Sequence, residues 1–599
     1  MTASTDRPPS GPVDPARPRY ARAGPSRIQR SLLEAVLGLT YGRPRLRMTL
    51  REGWGVLREV GSRCGLPGFL EPAEFGDLRR LRISPAAVTE PPRVLLVMSF
   101  RGWSTHVVTE AVVADAFRVR GWRVVNATCG GRLPVCDVAP IHSAPPMPCH
   151  SCRAYATGAL EAAGLDPVTL SDLVDVRAVR LAARSLTGRL ESVADCASFT
   201  YGGLSLGELV RTSVAWFLSR GTVREDVETL RIYRAFLVSG IVLQRAFTRL
   251  LDRVRPDRVL LLNGAFFAER ILAELADQRG VVVTRYEKGF LTDSVLVSRW
   301  RRGVDDLDPG DDAWAAARDA PLSDGQRASV ETYLGERVRG GRTFDNLWSH
   351  RIEELAEIRD KLGLREGRPL VGLFTNILWD SATQEKDTGF GSMAEWLVET
   401  VRWAEGHPKV DLVVRIHPAE VRLANHVSRE PMQDLIAEAL PRLPPNVRVI
   451  PPESAISSYA LIEMCSVGLV YTSTMGLEMA ARGVTVICGA AAHYGRRGFT
   501  VDPDTADGYR AALDRAVDMP EGATERERRR ELALRYVHLF FFRFHQMLDV
   551  VHEEARSRPR VTVADAVRLS EGGSASLDRI VQGISDGTDR VLTPLPETA

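Results

Sequence analysis

Three stretches in the second half of the chain end an apolar run on polar side chains: FTNILWD (374–380), RIHPAE (415–420) and YTSTMGLEMA (471–480). In VVRIHPAE, Ile416 keeps the strand alternation, so Arg415 and His417 share one face, and Pro418 ends the ladder by removing a backbone donor. Thr472, Ser473 and Thr474 lie where a strand passes into a helix, where hydroxyls and unpaired N–H groups converge on an anion. Glu478, four residues after Thr474, is placed to accept from ribose hydroxyls. Asn376 and Asp380 occupy the loop after the first strand of this series. Together these groups describe a site for a nucleotide mono- or diphosphate attached to a sugar. The plainer alternatives are a surface Arg and His at a strand end, Thr472 as a helix cap, and Glu478 on a solvated helix face.

Of the eight cysteines, Cys129, Cys136, Cys149 and Cys152 crowd into CGGRLPVCDVAPIHSAPPMPCHSC, spaced C-x6-C-x12-C-x2-C, with His142 and His150 alongside. A cytoplasmic chain is not expected to carry structural disulfides, so the cluster is a candidate metal site. Four thiolates suit structural zinc, which would fix a long loop with little to bury. An iron–sulfur cluster and unligated thiols are the alternatives, and C-x6-C is loose for a zinc knuckle. No Asp-x-Asp element stands at a strand end, so no obligatory Mg²⁺ is expected.

These groups must be held by sheets. RVLLVMSF (93–100), the helix-spaced THVVTEAVVADAFRVRG (105–121) and WRVVNAT (122–128) form a βαβ unit, and the alternation resumes at DRVLLLNG (257–264) and VVVTRYEKG (281–289). A second series runs through PLVGLFTN (369–376), VDLVVRIHP, NVRVIPP (446–452), VGLVYTS (467–473) and VTVICG (484–489). The fold class is α/β, with two doubly wound, Rossmann-like parallel sheets facing a cleft, and residues 525–558 read as one long crossover helix. The expected organisation is a disordered arm 1–26, a helical extension 27–90, an N-terminal Rossmann-like domain 91–335 with the Cys-rich loop 129–152, a linker 336–365, a C-terminal Rossmann-like domain 366–520 that carries the nucleotide-sugar groups above, a C-terminal helix 521–570 and a flexible tail 571–599. At 599 residues, 44% apolar and 26% charged, the chain suits two main domains. A net charge of +2 excludes a protein that seeks polyanions with its whole surface, and no nucleic-acid partner is expected. The arginine-rich stretch 16–51 suits a membrane surface or, more plainly, a solvated arm. No apolar run approaches the ~18 residues of a membrane span and no signal peptide is evident, so a cytoplasmic location is expected, with peripheral association at the inner face of the membrane as the further option.

From RIHPAE through YTSTMGLEMAARGVTVICG to AHYGRRGFT (492–500), the sequence resembles the capsule polysaccharide biosynthesis glycosyltransferases of GT-B fold, relatives of bacterial sialyl- and Kdo-transferases with a His-Pro motif. The resemblance implies that His417 contacts the donor phosphate, that Ser473 and Thr474 hold the same group, and that Glu478 holds the ribose. It also implies an acceptor half with a catalytic base. Glu287 is the first candidate because it ends what should be a central strand, and His106 the second; Arg101 and Asn263 are expected to contact the acceptor. A salt bridge from Glu287 to Lys288 or Arg285 is the structural alternative. The implied partners are a nucleotide-sugar donor and a glycan or other hydroxyl acceptor. A glycerol-phosphate transferase of teichoic-acid type, a nucleotide-sugar 2-epimerase and a non-catalytic nucleotide-sugar-binding component of an assembly complex remain open.

Overall fold

The computed structural model describes residues 44–63, 71–81, 93–141, 147–299, 307–339, 354–422, 427–555, 558–562 and 566–594. The arm 1–26, His142 and linker residues 340–353 lie outside them. The extension is helical where described, at Pro44–Arg63 and Ala73–Arg80.

Strands β1 (Val94–Met98), β2 (Arg123–Thr128), β3 (Val168–Thr169), β4 (Arg258–Leu262), β5 (Val282–Lys288) and β6 (Ser294–Ser298) belong to the first sheet. The second contains β7 (Leu370–Phe374), β8 (Asp411–Arg415), β9 (Val447–Ile450), β10 (Val467–Val470) and β11 (Thr485–Cys488); the chain then returns to the first with β12 (Gln546–Met547). The orders are β12-β6-β5-β4-β1-β2-β3 and β11-β10-β7-β8-β9. Strands β1 to β5 run parallel, with β6 and β12 added antiparallel at one edge; the second sheet is wholly parallel. The chain is therefore two consecutive doubly wound sheets, as the sequence predicts. Continuous apolar runs form the central strands because helices cover both faces: β1, β7 and β8 are buried at every residue.

Order reverses between β1 and β4 in one sheet and between β7 and β10 in the other, leaving a crevice at the carboxyl ends of each pair where ligands of such sheets bind. Arg101 and Asn263 follow the first pair; Asn376 and Thr472 follow the second.

Two expectations need correction. The long helix 525–558 stops early: Ala523–Val537 is helical, His538–Phe544 winds as a wider π-type turn, and the chain leaves as β12 and a hairpin, Val551–Ala555 with Arg558–Val561. The cause is the run HLFFFRF, whose aromatics need burial on several sides. Phe540 packs on Phe290 (5.8 Å) and stacks on His493 (4.4 Å), while Phe541 meets Tyr333 (4.3 Å). The tail is also structured. Ala575–Asp586 is a helix capped by Ser574, which accepts from Leu577 N, and it buries Leu577, Ile580, Val581 and Ile584 against the first sheet's core.

A charge at the centre of that apolar stripe tests whether the tail is part of the domain. Ile580→Asp should lower the melting temperature of the full chain by several degrees, since burying an unpaired carboxylate is among the most destabilising of single changes; an unchanged transition would show the helix to be dispensable.

Candidate active site

On the second sheet, three strand ends are tied together by polar side chains. Thr375 Oγ1 accepts from His417 N at 3.0 Å, joining β7 to β8, and Asn376 Oδ1 accepts from Thr472 N at 3.2 Å, joining β7 to β10. His417 Nδ1 accepts from Ala419 N at 3.1 Å. In the neutral ring that leaves the proton on Nε2, which becomes a donor. Burial, and then the neighbouring Arg415, lower its pKa to about 4, so near neutral pH the ring is an uncharged hydrogen-bond donor. Ser473 Oγ accepts from Met475 N at 3.3 Å, and Thr474, whose side chain makes no capping bond, occupies the N-cap position of the helix that follows, so Thr472 is not the cap. Thr472 Oγ1 is buried without a partner among the described residues, a polar atom left for something else to satisfy.

Arg415 and Glu478 are held by the protein itself. The Arg415 guanidinium donates to Pro451 O at 2.6 Å and Ser454 O at 3.2 Å, fixing the loop after β9. Glu478 is 1% exposed, not on a solvated face, and its Oε1 accepts from Arg337 Nε at 3.0 Å and Nη2 at 2.8 Å. A ribose reaching Glu478 would meet this pair.

On the first sheet, β4 and β5 pair with Leu262 beside Tyr286, which sets Asn263 next to Glu287. Asn263 Nδ2 donates to Glu287 Oε2 at 2.8 Å while its Oδ1 accepts from Ala265 N at 3.0 Å, and Lys288 N donates to Glu287 Oε1 at 2.8 Å. The salt bridge to Lys288 or Arg285 is not formed: Lys288 Nζ goes to Glu553, and Arg285 Nη1 donates to Arg299 O at 3.2 Å. Burial raises Glu287 to about 7; Asn263 and the Lys288 amide pull it back, and Asp380 adds to the rise. That last influence crosses between domains, since Asp380 belongs to the loop after β7.

His106 lies elsewhere. Strand alternation turns Tyr286 to the face opposite Glu287, and Nδ1 of His106 is 3.3 Å from the Tyr286 hydroxyl, which donates to Glu110 Oε1 at 2.7 Å. Burial lowers His106 to about 3 and raises Glu110 to about 8. Arg101 is fully engaged: its Nη2 donates to Asp137 Oδ1 and Glu269 Oε2, both at 2.9 Å, and its Nη1 to Glu269 Oε1. Its guanidinium is thus committed to two buried carboxylates, and of the two residues expected at the acceptor it is Asn263 that the structure sets beside Glu287.

Several contacts hold the two edges face to face. Trp216 packs edge-on against Trp379 of the β7 loop, ring centroids 5.1 Å apart. Glu430 accepts from Gly221 N at 3.0 Å and from Thr222 Oγ1 at 3.0 Å. Sequence reasoning missed Trp216, Thr375 and Arg337; a threonine directly after an apolar strand was a usable signal for the second, whereas nothing in the polar segment around 337 marked the third.

The four clustered cysteines lie in one region, near enough to influence one another's ionisation. Each raises or is raised by another, with burial as the larger cause: Cys129 and Cys136 are pushed up, Cys149 to about 11 and Cys152 to about 12. Gly131 N donates to Cys129 Sγ at 3.3 Å and Gly102 N to Cys152 Sγ at 3.0 Å. Among the described residues, however, no three His, Cys, Asp or Glu side chains are arranged to hold a metal ion. Nor is any described helix long and apolar enough to cross a membrane.

No protein-family model and no curated protein matches the sequence. Among solved structures, the chain is similar to the KpsC β-Kdo 2,7-transferase of Thermosulfurimonas dismutans (18% identity, TM-score 0.27, covering 44% of this chain and 77% of that one). It is also similar to the UDP-GlcNAc 2-epimerase of Neisseria meningitidis bound to UDP-GlcNAc (11%, 0.25, 75% and 98%) and to the glycosyltransferase SnogD of Streptomyces nogalater (15%, 0.21, 75% and 94%). At these scores the likeness concerns fold alone.

The His417 geometry has a direct consequence. Its folded pKa lies below the ordinary histidine value of about 6.5, so protonation opposes folding; its contribution to stability is complete above that value and is lost as pH falls toward 4. Nitrogen NMR of ring-labelled protein should show a neutral Nε2–H tautomer at pH 6, and an imidazolium there would contradict the assignment.

Proposed function

We propose that the chain is a glycosyltransferase that moves a sugar from a nucleotide-sugar donor to a hydroxyl of a glycan acceptor. The observation that carries this reading is Glu287, a carboxylate raised to about 7 on the acceptor-side sheet and influenced by Asp380 on the opposite one. A base poised near the working pH is what removal of a hydroxyl proton requires. In the proposed step Glu287 takes the proton of the acceptor hydroxyl as its oxygen attacks the sugar's anomeric carbon. The bond to the donor phosphate breaks, and its electron pair leaves with the nucleotide. His417 Nε2–H, the Thr472 hydroxyl and the amides around Ser473 donate to the oxygen on which charge develops. The neutral state of His417 suits donation without proton exchange.

Structural zinc at Cys129, Cys136, Cys149 and Cys152 remains a proposal; binding would take the four thiols to thiolates and draw their sulfurs inward. Elemental analysis of protein purified without chelator should give about one zinc per chain, lost in Cys149→Ser/Cys152→Ser protein; absence of zinc and iron assigns the four to buried thiols.

For the base, Glu287→Gln keeps the shape and the bond to Asn263 but accepts no proton. Turnover should fall by a factor of about 10² to 10⁴ with donor affinity retained. In the unaltered enzyme kcat/KM should rise with pH through about 7, because only the ionised carboxylate acts. A Glu287→Gln enzyme that turns over normally would move the role to another group.

A further inference from the structure

A second concavity lies on the same carboxyl edge, at the far end of the first sheet. Helix Val176–Thr187 follows β3 and buries Val176, Val179, Ala183 and Thr187, leaving its other side open. Arg177, Arg180 and Arg184 of this helix, with Arg132 from the loop after β2, line an open groove of about 520 Å³. None of these four guanidinium groups has an ion pair or hydrogen-bond partner among the described residues. The groove's one acid, Asp175, caps the helix by accepting from Ala178 N at 3.0 Å. Arginines elsewhere in the molecule, such as Arg101, Arg337 and Arg497, are committed to carboxylates. Like charges one helical turn apart repel, so the groove carries a cost that a bound anion would relieve. With a net charge of only +2, this clustering is local rather than a property of the whole surface.

Position supplies the rest. In the sheet order β5-β4-β1-β2-β3 the groove is four strands from Glu287, about 19 Å at the usual strand spacing, and on the same edge. We propose that the groove is an exosite for the anionic groups, phosphate or carboxylate, of an extended glycan whose reacting end lies at Glu287. The link to Glu287 rests on the transferase reading; the anion site does not. A concave lining favours a polymer over a bilayer, since a membrane-docking helix projects a continuous apolar face, whereas the exposed leucines of this helix, Leu181 (60%) and Leu186 (42%), are five residues apart and so lie on different sides of it.

The test is anisotropy of fluorescein-labelled polysialic acid titrated with the full chain. Binding should weaken as salt rises, resist competition by neutral dextran, and weaken at least tenfold when Arg132, Arg177, Arg180 and Arg184 are all changed to alanine, a residue the helix accepts well. In the unaltered protein, polysialic acid should also slow amide exchange over 168–187, a readout that does not depend on the variant folding. Absence of binding, unchanged affinity in the variant, or no protection over 168–187 would overturn the proposal, as would capture of phosphatidylglycerol vesicles through these arginines in place of polysialic acid. No turnover is needed, so binding that persists where sugar transfer is absent removes only the transferase reading.

Discussion

Asp137 is a carboxylate with 2% exposure on which several elements converge. It accepts from the Arg101 fork and from Ser213 Oγ at 2.8 Å, and its main-chain oxygen accepts from Trp216 Nε1 at 3.1 Å. A buried charge is tolerated only when paired and fully hydrogen-bonded, so the end of β1, the cysteine-rich loop and the helix Leu206–Leu218 are held in one arrangement. Trp216, oriented by that bond, gives its ring to Trp379 in the loop after β7. The same loop carries Asn376 and Asp380. A single buried polar centre of the first domain thus sets the surface on which the loop after β7 rests.

From this follows the chemistry of the cleft. Burial acts oppositely on the two groups that matter, raising Glu287 to about 7 and lowering His417 to about 4, because in each case the charged form is the one disfavoured. Near neutral pH the result is a half-ionised carboxylate on one wall and an uncharged N–H donor on the other. Arg415, two residues from His417, and Arg101, just beyond β1, are both turned to internal work; the polar groups gathered around the His417 strand end are amides, hydroxyls and an imidazole.

The sheets were legible because their strands are apolar runs bounded by helix-spaced segments, a pattern that survives without any knowledge of neighbours. Asn263 and Glu287 were each found at a strand end, but their hydrogen bond depends on the β4–β5 register, which no single strand reveals. The partnership of Arg337 with Glu478 spans 141 positions and joins two helices, Asp324–Arg339 and Met475–Ala480, so a reading of the strand end alone does not supply the strongest neighbour of Glu478. Tail residues 575–586 were passed over for a different reason: the composition around GGSAS masked a regular stripe of Leu577, Ile580, Val581 and Ile584 that helical periodicity would have exposed. The run HLFFFRF failed in the opposite direction, since helix-forming neighbours concealed a segment whose rings are distributed among both domains.

The central claim is that the two facing edges form one transfer site, and product analysis tests it most directly. Nucleotide sugars with UDP, GDP, CMP, CDP and dTDP leaving groups would be incubated with the protein, with and without a mixture of acidic and neutral oligosaccharides, and all products weighed by mass spectrometry. The account predicts, for at least one donor, an oligosaccharide heavier by one sugar together with free nucleotide, formed only when acceptor is present. Conversion of a donor to its epimer without acceptor, or an acceptor gaining a glycerol phosphate from its CDP-linked form, would contradict it.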